Sequence, residues 1–114
     1  MATTVDQVLA DPQRFFDETV ALRGEMDRTI SERVIALSST NADQGMLAVL
    51  ADQALKRIDS LQAGDQLEIV GVIRPITQEQ IRQVEQQLGV DLDEQQMVNL
   101  ANQAPFIVAQ SVTK

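Results

Sequence analysis

The sequence predicts a mainly β protein in which short strands close a coiled barrel, with helices placed between them. Two segments, Val20–Met26 and Leu67–Ile73, place apolar residues at every second position, which is typical of strands with one buried face. In each segment a glycine, Gly24 or Gly71, takes the third inward position. Glycine at such a position indicates a bend, a bulge or the close approach of another backbone. Both strands are therefore expected to coil around a nearly closed core.

Composition limits both the size of the protein and its chemistry. The chain has 114 residues, which fits one domain over 1–114, and 44% of them are hydrophobic. Cysteine and histidine are absent, so thiolate metal sites, cysteine nucleophiles and the usual neutral-pH base are excluded. Three phenylalanines are the only aromatic residues, and the net charge is −8. This balance disfavours a surface that binds nucleic acid, although it leaves room for a local basic patch.

The N-terminal segment predicts a short helix that closes one end of the core. Thr4 is a good N-cap residue, and the helix ends where Pro12 follows Asp11. Residues 13–18 then form a turn, in which Phe15 and Phe16 are candidate plugs for the core.

Five strands follow from the alternating pattern and from the turn signals between them. Residues 38–45 are polar and predict a loop, residues 52–60 predict a short helix or an irregular crossing, and residues 62–65 predict a turn. The strands are predicted at about 19–28, 33–38, 46–51, 66–74 and 106–112.

A helical insertion is predicted at about 77–102, before the last strand. Thr77 caps its first helix with Gln80 as capping-box partner, and Gly89 fits the position just past the helix end. Asp93 caps the second helix. The apolar stripes are Ile81, Val84 and Leu88 in the first helix, and Met97, Leu100 and Ala101 in the second.

The pattern resembles small bacterial OB-fold domain proteins, a poorly characterised group of which many are exported or membrane-attached. The resemblance is carried by the first glycine strand, the polar loop ending in Gly45, and Ala63-Gly64-Asp65 before the fourth strand. It covers about 20–74 and the final strand. It implies a five-stranded OB-fold barrel in which the helices enlarge the connection between strands 4 and 5. It implies no active site.

Acidic residues offer two candidate kinds of chemistry, and each has a simpler interpretation. Asp91, Asp93 and Glu94 weakly resemble a calcium loop, but the ordered ligand pattern and its closing glutamate are missing, so capping of a helix is preferred. Carboxylate pairs for acid–base catalysis are available near 17–18 and 25–27, without a supporting histidine, cysteine or nucleophile motif. We therefore expect no catalytic residue, no metal and no cofactor.

The candidate interaction face combines four arginines with two valines. Arg23, Arg28, Arg33 and Arg74 lie on or beside strands 1, 2 and 4, where they either form a patch or pair with carboxylates across strands. Val70 and Val72 point away from the core in the fourth strand. The helical insertion covers them, which is the preferred interpretation, or a partner protein does.

The sequence thus favours a non-enzymatic binding or protein-interaction module. The alternatives are a binder of single-stranded nucleic acid or another anionic ligand through the arginines, and a cation-dependent or hydrolytic role of the carboxylates. No apolar run reaches the length of a membrane span, and Met1-Ala2-Thr3-Thr4 shows no export signal. An upstream signal removed from an exported or membrane-attached protein stays open, as does the oligomeric state.

Overall fold

Five β-strands form a closed barrel in the computed structural model, which describes residues 2–38, 45–101 and 104–114. Within these residues the strands are β1 (Ala2–Thr4), β2 (Thr19–Thr29), β3 (Val34–Ser38), β4 (Gly45–Leu50), β5 (Gln66–Arg74) and β6 (Phe106–Thr113). The helices are α1 (Val5–Ala10), α2 (Asp52–Leu55), α3 (Gln78–Leu88) and α4 (Glu94–Ala101), with short 3₁₀ turns at Pro12–Phe15 and Ile58–Ser60.

The strand order identifies the barrel. Neighbouring strands follow the order β2-β3-β4-β6-β5, and an antiparallel pairing of β5 with β2 closes the ring. The pairing of β4 with β6 is parallel, and the other barrel pairings are antiparallel. This confirms the predicted fold class, an OB-fold barrel with a helical insertion between its fourth and fifth strands. The predicted loop at 38–45 lies mostly outside the described residues, as does the end of the insertion at 102.

The sixth strand, β1, lies outside the barrel and was not predicted. It pairs in parallel with β2, with Ala2 opposite Ala21 and Thr4 opposite Arg23. It occupies the part of the β2 edge that β3 leaves free, since β3 pairs only with Glu25–Thr29. A strand of three residues is too short for an alternating pattern to reveal.

The barrel interior holds the larger of two apolar clusters. The inward residues of β2 and β5 lie where the alternation predicts them, and Val20, Leu22 and Ile69 are fully buried. Phe15 is buried in the same cluster and Phe16 packs against it, which confirms both as plugs of the core. Val5 and Val8 of α1 belong to the same cluster. Thr4 and Gln7 form a full capping box at the start of this helix.

A second apolar cluster joins the helical insertion to the outside of the barrel. Its strand residues alternate with the inward ones and therefore face outward from β3, β4 and the start of β6. Helices α3 and α4 supply the other half. The main members are Val34, Leu47, Val49 and Phe106 from the strands, and Ile81, Val84, Met97 and Ala101 from the helices.

The helix positions confirm most of the predicted signals and correct three. The Thr77 hydroxyl accepts a bond of 3.2 Å from the Gln80 N–H, but the buried side-chain oxygen of Gln80 has no partner, so the capping box is incomplete. Leu100 is not part of the buried stripe, because it is 40% exposed. The helices also cover β3 and β4 rather than Val70 and Val72, which stay half-buried on the outside of β5.

The two inward glycines differ in what surrounds them. At Gly71, where a bulge shifts the β5–β6 register, a methyl group would collide with the carbonyl oxygen of Val108 and lie 2.8 Å from the carbonyl carbon. At Gly24, a methyl group would lie 2.7 Å from the Cγ2 atom of Val5. The first obstacle is backbone of a central strand, and the second is a side chain on a short surface helix. Gly71 is therefore the stricter requirement.

We predict that Gly71→Ala destabilises the fold by about 3 kcal/mol or more, because neither β5 nor β6 can move without breaking the barrel. Gly24→Ala should cost about 1–2 kcal/mol, since Val5 and α1 can shift. Urea unfolding followed by circular dichroism measures both values. Equal losses for the two variants, or a tolerated Gly71→Ala, would contradict this account of barrel closure.

Candidate functional site

A cleft of 570 Å³ opens between the β2–β3 turn and the α3–α4 connection. We call it the loop cleft. Its apolar lining is Ile30, Val34, Val90, Leu92 and Met97, and its polar lining is Ser31, Glu32, Arg33, Asp91, Asp93 and Gln96. The volume lies within the range of about 300–1,000 Å³ that is usual for ligand pockets.

Backbone hydrogen bonds and one arginine hold the β2–β3 wall of the loop cleft. The N–H groups of Ile30 and Ser31 donate to the Val34 carbonyl oxygen at 2.8 and 3.2 Å. The Arg33 guanidinium donates to the Leu50 carbonyl oxygen at 3.2 Å and to the Asp52 carboxylate at 2.9 Å. Because these bonds span the turn and reach the end of β4, this wall is fixed relative to the barrel.

Two carboxylates shape the opposite wall. After α3 ends at Gly89, which has a φ of 66°, the Glu85 carboxylate accepts the Leu92 N–H at 2.9 Å. The Asp93 carboxylate accepts the Gln96 N–H at 3.0 Å, which confirms the predicted cap of the second helix. The connection between α3 and α4 is thereby bonded at both of its ends.

The acidic residues near this wall crowd one another. Burial raises the pKa of Glu85, and the nearby carboxyl groups of Glu94 and Asp91 raise it further, against the opposing effect of the Leu92 N–H. Arg82 lies 3.1 Å from the Glu94 carboxylate and offsets part of this charge. Within the described ranges, no group of three or more acidic residues is arranged to hold a metal ion.

Three of the four candidate arginines bind carboxylates. Arg23 lies 3.6 Å from Glu68, its cross-strand neighbour on β5, and Arg74 lies 3.0 Å from Asp17. These two pairs sit towards opposite ends of β5. Arg33 pairs with Asp52 and also lines the loop cleft. Arg28, exposed near the end of β2, completes the set.

The two candidate valines lie on the outer face of the barrel, away from the loop cleft. Val70 is flanked in register by Ala21 and Ser111, and Val72 lies between Thr19 and Val108. Both are half-buried. Neither valine lines the loop cleft.

Sequence reasoning singled out Arg33 on one wall of the loop cleft and Asp91 and Asp93 on the other, but it did not predict that they share a cleft. The acidic residues Asp91 and Asp93 stood out by their spacing, although only as helix caps. Ile30, Ser31 and Glu32 carry no motif, and only the barrel topology brings their turn beside the helical insertion. Knowledge of the strand order is the signal that would have located them.

The fold and the cleft define a class, a small OB-fold barrel whose enlarged β5–β6 connection forms a cleft with the β2–β3 turn. No protein-family model matches the chain, and no curated protein matches it. Among solved structures, the chain is similar to a crystal structure described as "a putative aspartyl-tRNA synthetase from Leishmania major Friedlin", with a TM-score of 0.60 and 11% identity. The similarity covers 98% of this chain and 20% of that one, so it shows the fold alone.

No helix in the described part of the chain is long and apolar enough to span a membrane.

We predict that Glu85→Gln stabilises the protein at neutral pH by less than about 1 kcal/mol, because water screens this half-buried group. The native pKa is raised, so native Glu85 binds its proton more tightly than the unfolded chain does. Stability is therefore lost as pH rises from the ordinary glutamate pKa through the raised value. The glutamine keeps an acceptor for Leu92 and removes the charge.

Thermal unfolding of Glu85→Gln across this pH range checks the sign. The gain should vanish at acid pH, where the native carboxyl is protonated. Glu18→Gln, which removes an exposed charge elsewhere, is the matched control and should show no such gain. A loss of stability at neutral pH would show that the Leu92 bond dominates.

A second prediction concerns cations. Calcium, magnesium and EDTA should each leave the melting temperature unchanged, because the described carboxylates form no metal-binding group. A rise in melting temperature with either ion that EDTA reverses would contradict this prediction and restore the cation-dependent hypothesis.

Proposed function

We propose that this protein is a non-enzymatic protein-binding module that binds its partner in the loop cleft. The observation that carries the proposal is the position of the cleft. OB-fold barrels bind ligands with the loops that join strands 1–2 and 4–5 and with the face of strands 2–3. Here these loops are the β2–β3 turn and the helical insertion, and the loop cleft lies between them.

The adjoining face of the barrel supports a protein partner over a nucleic acid. Its outward residues, among them Val34, Leu47 and Val49, are buried under α3 and α4. Binding of single strands relies on aromatic side chains that stack on bases and on a basic groove. Phe15 and Phe106 are buried and Phe16 is half-buried, so none of the aromatic residues offers an open stacking surface.

The charge pattern supports the same choice. Arg33 is the basic residue of the cleft lining, and its guanidinium already bonds Asp52 and Leu50. Glu32, Asp91 and Asp93 are exposed around it, so a phosphate backbone would meet repulsion there.

A non-enzymatic role agrees with the chemistry available in the lining. The chain contains no histidine and no cysteine, and the cleft offers Ser31 and carboxylates without a neutral-pH base. Its apolar floor and fixed walls suit recognition of a partner better than they suit proton transfer.

Adjacent glutamines on α4 provide the test. Gln96 lines the loop cleft, whereas Gln95 is exposed on the same helix outside the lining. We predict that Gln96→Trp fills the cleft and weakens binding by about tenfold or more, and that Gln95→Trp leaves it unchanged. The probes are peptides selected from a random displayed library against the natural protein, and single-stranded oligothymidylate.

Selected peptides should shift the amide resonances of Ser31 and Asp91, and oligothymidylate should not bind. Equal effects of the two tryptophan variants on binding affinity would exclude the loop cleft as the binding site. Loss of binding on Val70→Asp, with Gln96→Trp harmless, would move the contact to the outer face of β5. Failure to select any peptide would overturn the protein-binding proposal. Salt-sensitive oligothymidylate binding, reduced when the four candidate arginines are replaced, would establish the alternative nucleic-acid function.

A further inference from the structure

The loop cleft carries negative charge on both of its walls. Glu32 lies on the β2–β3 turn, and Asp91 and Asp93 lie on the α3–α4 connection, and all three are exposed. The one basic side chain among the lining residues, Arg33, already donates hydrogen bonds to the Leu50 carbonyl oxygen and to the Asp52 carboxylate. These three exposed carboxylates, which we call the rim, thus lie on both walls, and the one cationic side chain of the lining is already paired.

The floor between these walls is apolar. Ile30 and Val90 are half-buried, so each still presents part of its side chain to the cleft. Leu100, the large hydrophobic residue that is exposed among those described, follows Gln96 by one helical turn and so lies on the same side of α4.

We propose, building on the protein-binding function above, that the occupant of the loop cleft is a basic amphipathic segment of a partner protein. Its aliphatic side chains rest on Ile30 and Val90, and its lysine or arginine side chains meet Glu32 and Asp91 on the rim. An apolar face that enters a groove while charges at its edges select the partner is a recurring mode of peptide recognition.

Other occupants match these features less well. An acidic segment would bring like charges beside three carboxylates, which opposes association. An uncharged apolar segment would fill the floor but would leave the rim carboxylates partly desolvated without a partner. Since the whole chain carries a net charge of −8, long-range attraction also favours a basic partner.

Synthetic peptides and matched charge reversals test this inference. The probe is a fluorescently labelled amphipathic peptide of leucine and lysine. Two comparison peptides are used. The first has glutamate at every lysine position, and the second keeps the leucine and lysine content but in an order that forms no apolar face. Fluorescence anisotropy gives the dissociation constant of each for the natural protein, Gln96→Trp and two double variants.

Glu32→Lys with Asp91→Lys reverses the rim, whereas Glu18→Lys with Asp59→Lys makes the same change of net charge at exposed sites outside the lining. We expect the rim variant to bind the leucine–lysine peptide with a dissociation constant about tenfold higher than that of the natural protein. The control variant should change the dissociation constant by less than about threefold. The glutamate peptide and the reordered peptide should bind more weakly than the first, and the rim variant should improve binding of the glutamate peptide.

Each contrary result has a distinct meaning. Equal weakening by the two double variants shows attraction by net charge alone and overturns the inference. Absent binding of the leucine–lysine peptide also overturns it. If library peptides without positive charge bind and remain sensitive to Gln96→Trp, the basic occupant is wrong while the protein-binding function stands. If Gln96→Trp changes the binding of no peptide, both the basic occupant and binding in the loop cleft are wrong. Circular dichroism of every variant confirms that the comparison is made on folded protein.

Discussion

The backbone of β5 at Gly71 lies so close to the carbonyl group of Val108 that only a hydrogen atom fits between them. This contact sets the geometry with which β6 enters the ring, parallel to β4 on one side and antiparallel to β5 on the other. The bulge at the same point adds a residue to β6 and increases the local twist, which a small barrel needs in order to close. Closure also pairs the barrel strands with one another, which limits the open edges that would otherwise invite pairing with other chains.

The rest of the molecule depends on that closure. The helical insertion starts just after β5 and ends just before β6, so its two ends are attached to the strands that meet at Gly71. From there α3 and α4 lie over the outward residues of β3 and β4 and bury a second apolar cluster. Their position brings the α3–α4 connection beside the β2–β3 turn, and the loop cleft results. The face of β3 and β4, which binds ligands in other barrels of this kind, is thus covered by α3 and α4, and the loop cleft lies beside it.

The barrel and its five strands followed from the sequence because alternation and turn residues are local signals, as at Leu67–Ile73. The helix caps at Thr77 and Asp93 were equally local. The features that could not be predicted depend on residues that are distant in the sequence. The three-residue β1 exists only because β3 leaves an edge of β2 free. Leu100 has the spacing of a core residue, yet it is exposed in the folded protein. The loop cleft joins segments some sixty positions apart, so no local pattern could reveal it.

The walls of the loop cleft are held before any partner arrives, and this matters for what the cleft can recognise. Glu85 and Asp93 bond the backbone of one wall, while Arg33 anchors the other. Binding therefore needs to order few residues of the cleft, which reduces the entropic cost of binding. The same arrangement keeps Glu85 near the carboxyl groups of Glu94 and Asp91, which add to the effect of burial in raising its pKa. Since the bonded walls prevent these charges from separating, the repulsion among them persists in the free protein. The cationic partner that we propose would relieve this repulsion, whereas an anionic one would add to it.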